Sequence, residues 1–312
     1  MTLGTQTYTD NGLVTQYGII LPPGARIAGY VRSTGIQTGD SAWIAENLVS
    51  TLAAACARAR AGLGDFVVCL PGHAENIADA TTISGAIVAG TKILGVGLGS
   101  NTPTFTFTTT ASSLAVSVND VFIGGCRFLC DGINAVVNAF NITGSDFTFA
   151  NNDVEVSTTA KAAAIVMTLG TGAHRANINN NVFRGLAASA CTDGILVSGA
   201  ITDARICDNE MVFPTTTTNG LVRVTGVAVG LKILRNYMNN TIAASVAAIN
   251  YANVAITGQC AYNSITVLST GAVSAGVTGI TVGGTANLTG YFQNFTVNDP
   301  NKSGLLTPAV DT

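Results

Sequence analysis

The chain has 312 residues, of which 47% are hydrophobic but only 6% aromatic, and 14 basic against 17 acidic side chains leave a formal net charge of −3. That balance gives no electrostatic footprint for nucleic acid or an anionic membrane, and no run of about 18 apolar residues offers a membrane helix. Charged residues amount to 10%, far below the ~25% of an ordinary soluble domain, so part of the surface is expected to lie under another chain.

Residues 1–40 are rich in Gly, Thr and Gln around the apolar stretch Gly18-Ile-Ile-Leu-Pro-Pro23 and read as an extended arm. The start, Met1-Thr-Leu-Gly-Thr-Gln-Thr7, has neither a basic region nor an apolar one, which predicts no Sec signal. Asp40 and Ser41 precede apolar residues at helical spacing from Ala42 to Cys56, and Arg58 and Arg60 follow before Gly62. This pattern predicts a helix within 41–64. Placed just before a strand at Phe66–Leu70, its expected role is to cap the open end of a solenoid.

From residue 91 to 261 one pattern recurs: apolar, any, Ile, any, any, Asn, any, apolar. Its third positions are Ile93, Ile123, Phe149, Ile178, Ile206, Ile233 and Ile256, so the spacings are 30, 26, 29, 28, 27 and 23 residues. A variable period of this size fits one coil of a right-handed parallel β-helix, with insertions absorbed in turns. The first and third positions alternate inward, as a strand's period of two requires, and the eighth turns inward again on the next strand. Asn152, Asn181, Asn209 and Asn236 occupy the sixth position in four consecutive copies. Asn tolerates the left-handed backbone of a sharp bend, and amides stacked ~4.8 Å apart form a hydrogen-bonded ladder. The β-helix is expected over 65–262, with C-terminal strands and a polar tail (Asn298 to Thr312) over 263–312.

The coil pattern and its Asn ladder resemble the pectate-lyase-type β-helix shared by polysaccharide lyases, glycosidases and phage tailspikes. The segment Gly64-Asp65-Phe66-Val-Val-Cys-Leu-Pro71-Gly72-His73-Ala-Glu75, with Gly90-Thr-Lys-Ile93-Leu-Gly-Val-Gly97, resembles the opening coils of β-helix structural proteins of tailed bacteriophages. The resemblance implies a virion protein, assembled in the bacterial cytoplasm as a homotrimer. Its expected partner is the major capsid protein, as a head decoration or cement protein. The second reading it implies is a tailspike that binds or cleaves a cell-surface glycan.

For sugar cleavage, the seventh position supplies the one ordered charged column. Asp153 and Glu210 sit two coils apart, about 10 Å between Cα atoms, with Val182 between them and Arg127 one coil earlier. A hydrolase needs two carboxylates at ~5–9.5 Å, and the sparse column is expected to be a solvated outer face. Glu155 and Asp208 lie nearby without a DxD cluster. His73 and His174 show no evident partner in sequence, which leaves Ser-His-Asp chemistry little to draw on. The seven cysteines (56, 69, 126, 130, 191, 207 and 260) include no CxxC pair and read as reduced packing residues. Gly95-Val-Gly-Leu-Gly99 lacks the spacing and the Lys-Ser/Thr pair of a phosphate loop. The alternating Thr104, Thr106 and Thr108 read as a strand with one wet face rather than an ice-binding row. No metal or other cofactor is expected, and neither is catalysis.

Overall fold

A computed structural model describes residues 7–9, 12–14 and 20–267, apart from short stretches at 131, 159, 187–189, 217–218, 243–246 and 253–254. Beyond 267 it describes only 279–282, 287–292, 295–296 and 304–305. The chain winds as a right-handed parallel β-helix of about 7 turns. Each full coil contributes one strand to each of three sheets. One such coil is Phe122–Gly124 in sheet I, Arg127–Leu129 in sheet II and Val136–Ile142 in sheet III. The next is Thr148–Ala150, Asp153–Ser157 and Ala163–Leu169. Among the described residues the three sheets hold 12, 10 and 7 strands, paired in parallel almost throughout.

The turn from sheet I to sheet II is two residues in the six coils that follow Phe122: 125–126, 151–152, 180–181, 208–209, 235–236 and 262–263. Turns from sheet II to sheet III vary, with 130–135, 158–162, 186–192 and 214–221 in successive coils. A fixed turn preserves the side-chain register on both flanking strands, whereas a variable one erases it. Sheet III therefore has no repeating signature in the sequence.

The expected inner stack forms over most of its length. Val67, Ile93, Ile123, Phe149, Ile178, Ile206 and Ile233 lie in register on sheet I, and all are buried. The next member is Cys260 rather than Ile256, because Ile233 pairs with Cys260 while Ile256 pairs with Ala228. Ile256 is still buried, one step outside the stack. With Cys260 in place the last spacing is 260 − 233 = 27 residues. A bulge between Ala228 and Leu231 shifts the register here by one residue. Gly258 takes φ 142° there, and a Cβ on it would collide with the Leu231 carbonyl. Its flanking Val254 lies outside the described residues. Leu98, expected to point inward, is 89% exposed; Phe105 takes its place after a longer turn, paired with Phe128. Phe105, Phe128, Phe140 and Phe149 contact ring to ring at 5.0–5.7 Å, filling a core wide enough for aromatic side chains. All seven cysteines are buried and outside any disulfide, and burial pushes Cys56, Cys191 and Cys260 up to about 12.

The N-terminal end departs from the expected layout. Residues 41–64 form two short helices, α1 (Ala42–Asn47) and α2 (Leu52–Cys56), with the strand Leu48–Val49 between them. The reason is a second cap: the Thr51 hydroxyl accepts from the Ala54 N–H, as Ser41 does from Ile44, so helix restarts instead of continuing. Ile27–Val31, inside the expected arm, is a strand of sheet I paired with Phe66–Cys69, and it adds a coil before residue 65. Leu52, Ala55 and Cys56 of α2 close the interior at this end. Ile44 of α1 packs instead on the outer side, with Leu21, Tyr30, Val68 and Leu70. The strand Ser264–Val267 carries the β-helix past 262. The polar tail from Asn298 lies outside the described residues apart from Gly304–Leu305.

Buried polar groups join these end pieces. Asp65 is fully buried and accepts from the Arg60 side chain at 2.7 and 2.9 Å and from the Arg26 and Arg60 backbone N–H groups. Burial alone would raise its pKa, but these donors outweigh it and hold the carboxyl at about 2. Glu75 accepts from the Leu52 N–H at 2.7 Å, fixing the start of α2, and contacts His73 Nε2 at 3.0 Å.

Candidate functional site

The corner between sheets I and II carries the Asn ladder, and it has five members rather than four. Asn152, Asn181, Asn209, Asn236 and Asn263 are all buried. Each of the last four accepts, through Oδ1, from the backbone N–H of the ladder Asn one rung before it, at 3.0 Å. Their Nδ2 groups donate back to carbonyls of sheet I, as Asn209 does to Ile178 at 2.9 Å. Asn263 escaped the sequence pattern because Cys260 stands where the pattern expects Ile, so the copy is matched four residues early, at Ile256 and Gln259. The left-handed backbone lies one residue earlier than expected, at Asn151, Asn180, Asp208, Arg235 and Tyr262, with φ between 52° and 59°. The buried Asn does not make the bend; it satisfies the backbone groups that the bend exposes.

The outer face of sheet II holds the charged column. Arg127, Asp153, Val182 and Glu210 lie in register as the seventh-position spacing predicts. The strand alternation adds a second outward column beside it: Leu129, Glu155, Arg184 and Val212. Sequence reasoning left Arg184 out, although its place two residues after Val182 puts it on the same face. The two columns interlock. Arg127 bonds Glu155 at 2.6 Å and approaches Asp153 at 3.9 Å, and Arg184 approaches Glu210 at 4.0 Å. A groove of about 410 Å³ runs between these side chains, with Ser157, Gly185, Leu186 and Val212 in its lining. Each carboxylate faces a guanidinium rather than a second carboxylate. The structure therefore brings Asp153 and Glu210 to one groove, but as members of separate ion pairs.

The remaining candidates resolve into structural contacts. His73 is 1% exposed; its Nδ1 accepts from the Ser33 N–H at 3.1 Å and its Nε2 meets Glu75. His174 Nδ1 accepts from the Thr202 N–H at 3.1 Å. Both histidines are satisfied by neighbours that the sequence did not reveal, although the His73-x-Glu75 spacing was a visible signal for one of them. The strand Thr104–Phe107 buries Phe105 and Phe107 and turns its threonines outward. On sheet III the buried Asp193 is bound by Arg223 at 2.8 and 2.9 Å, and Arg223 reaches on to Asn219 at 3.0 Å. Burial raises Asp193 despite Arg223, which pulls the other way. Among the described residues no cluster of three or more His, Cys, Asp or Glu side chains is placed to hold a metal ion. No helix among them is long and apolar enough to cross a membrane. Comparisons with protein-family models, curated proteins and solved structures return no match.

Proposed function

We propose that the chain is a non-catalytic structural protein of a tailed-phage virion, a homotrimer that decorates the head shell by binding the major capsid protein. One observation carries the structural part of this reading: the charged side chains of the shaft are used to join rung to rung. Lys92–Asp120, Arg127–Glu155, Asp146–Arg175, Asp193–Arg223 and Asp208–Arg235 each tie adjacent coils, at 2.6–2.8 Å. Ties along the axis resist bending and peeling, which is what a load-bearing shell component needs. The phage assignment and the threefold count rest on the resemblance of residues 64–97, and the partner surface on the low charge of the whole chain.

The test is immunogold labelling of virions that carry this chain. Label spread over the head is the expected result. Label confined to the tail tip overturns the head assignment, and virions without label overturn the virion reading.

The groove on sheet II favours a second reading, a spike that binds a host-surface glycan across Arg127, Glu155 and Arg184. Binding of purified lipopolysaccharide or capsular polysaccharide that is lost in Arg184→Ala would establish it.

A further inference from the structure

The order of charges on the outer face of sheet II points to a partner of defined geometry. Four consecutive rungs present, in one outward column, Arg127, Asp153, Val182 and Glu210, and in the other Leu129, Glu155, Arg184 and Val212. The second column reads apolar, acidic, basic, apolar, so reversing its direction exchanges opposite charges and matches apolar ends. We infer that this face pairs with the same face of a second copy, with the two solenoid axes antiparallel about a two-fold axis lying along the strands.

Such an axis, placed between the rungs of 153–155 and 182–184, sets each residue against its counterpart on the reversed rung. Arg127 then opposes Glu210 of the other copy, Glu155 opposes Arg184, and Leu129 opposes Val212. Asp153 faces Val182, so no like charges meet. Continuing outward, Thr104 and Thr106 meet Tyr237 and Asn239, again without conflict. The alternatives are worse. A two-fold axis along the solenoid keeps rungs level and exchanges the columns, which sets Asp153 against Glu155. A coaxial threefold arrangement through this face converges three copies of Arg127 at one level. Like charges placed opposite one another are destabilising, and an isologous interface must be complementary to itself.

The face also retains capacity for such contacts. The Arg184–Glu210 and Arg127–Asp153 approaches of 4.0 and 3.9 Å are long for charge-assisted hydrogen bonds. Leu186 beside the groove is 52% exposed. This contact goes beyond the virion reading and does not depend on it, because it concerns copies of the chain alone.

The experiment is cysteine cross-linking of the full chain with glutathione disulfide as oxidant, read by non-reducing electrophoresis. Positions 129 and 212 lie three rungs apart in one chain, roughly 14 Å, too far for an internal disulfide. The Leu129→Cys, Val212→Cys double variant is expected to give a covalent species of twice the 31.6 kDa chain mass, and each single variant none. Adding Arg184→Glu sets acid against Glu155 across the axis and is expected to cut the cross-linked fraction about tenfold. Cross-linking by Leu129→Cys alone, which the antiparallel register does not allow, overturns the inference. So does a double variant with accessible thiols and native circular dichroism that stays monomeric on the gel.

Discussion

A single buried carboxylate, Asp65, locks the first coil. It joins Arg26 of the preceding strand region to Arg60 after α2, so three chain segments depend on one side chain. Its folded pKa of about 2 lies below the ordinary ~3.9 of aspartate. A depressed carboxylate pKa contributes stability that is full above the unfolded value and is lost as pH falls through the folded one. Urea unfolding of the native chain is therefore expected to show stability falling between about pH 4 and pH 2. Asp65→Asn removes this group's share of the pH dependence and costs about 2 kcal/mol at neutral pH, since the buried Arg26 and Arg60 backbone N–H groups lose their charged acceptor. An unchanged slope in the variant would refute the assignment. Nothing in the local sequence identified Asp65 as buried: Arg26 is 39 residues away, and a pairing at that range is visible only once the coils are stacked.

At the scale of the element, the corner between sheets I and II explains what the sequence revealed and what it hid. Its constant two-residue turn keeps the register, so four ladder asparagines and six inner residues were legible as a column. The fifth Asn and the true last core residue were not, because Cys260 replaces Ile at the third position and the pattern was tolerant enough to accept Ile256 and Gln259 four residues earlier. The single helix expected over 41–64 had the right composition, but Thr51 caps a second helix as effectively as Ser41 caps the first. The ion-paired groove on sheet II was half legible: one column came from the repeat, and the second needed the strand alternation. Asn209→Ala removes the acceptor for the Asn181 N–H and the donor to the Ile178 carbonyl, both buried. Thermal and urea unfolding are expected to report a loss of roughly 2–4 kcal/mol. A loss comparable to that of an exposed Asn180→Ala control would show that the ladder is incidental.

Over the whole molecule, each coil touches mainly its neighbours, so cohesion runs along one axis and the ends are its weak points. The parallel sheets would present open strand edges at the first coil were it not for α2 and the two-residue strand Leu48–Val49, a short edge of the kind that blunts pairing with other chains. Ala55, 0% exposed on the inner face of α2, is the position to test. Ala55→Glu places a charge against the end of the core, lifts the cap and is expected to yield soluble aggregates by light scattering below the unfolding temperature. A monodisperse variant would mean that the end strand alone suffices. This scale was legible from composition and period together, since small, β-branched residues at a spacing near 27 residues leave few folds to choose from. The third sheet was not legible, because the loops before it differ in length from coil to coil.

The left-handed residue that precedes each ladder Asn has a different identity in every rung: Asn151, Asn180, Asp208, Arg235 and Tyr262, all exposed. Since the buried amide beside it satisfies the backbone groups of the bend, the outward side chain takes no part in those hydrogen bonds. The result is a straight row of five addressable sites at intervals of about 4.8 Å, a graduated scale along which chemical groups are set at chosen separations without altering the body that carries them.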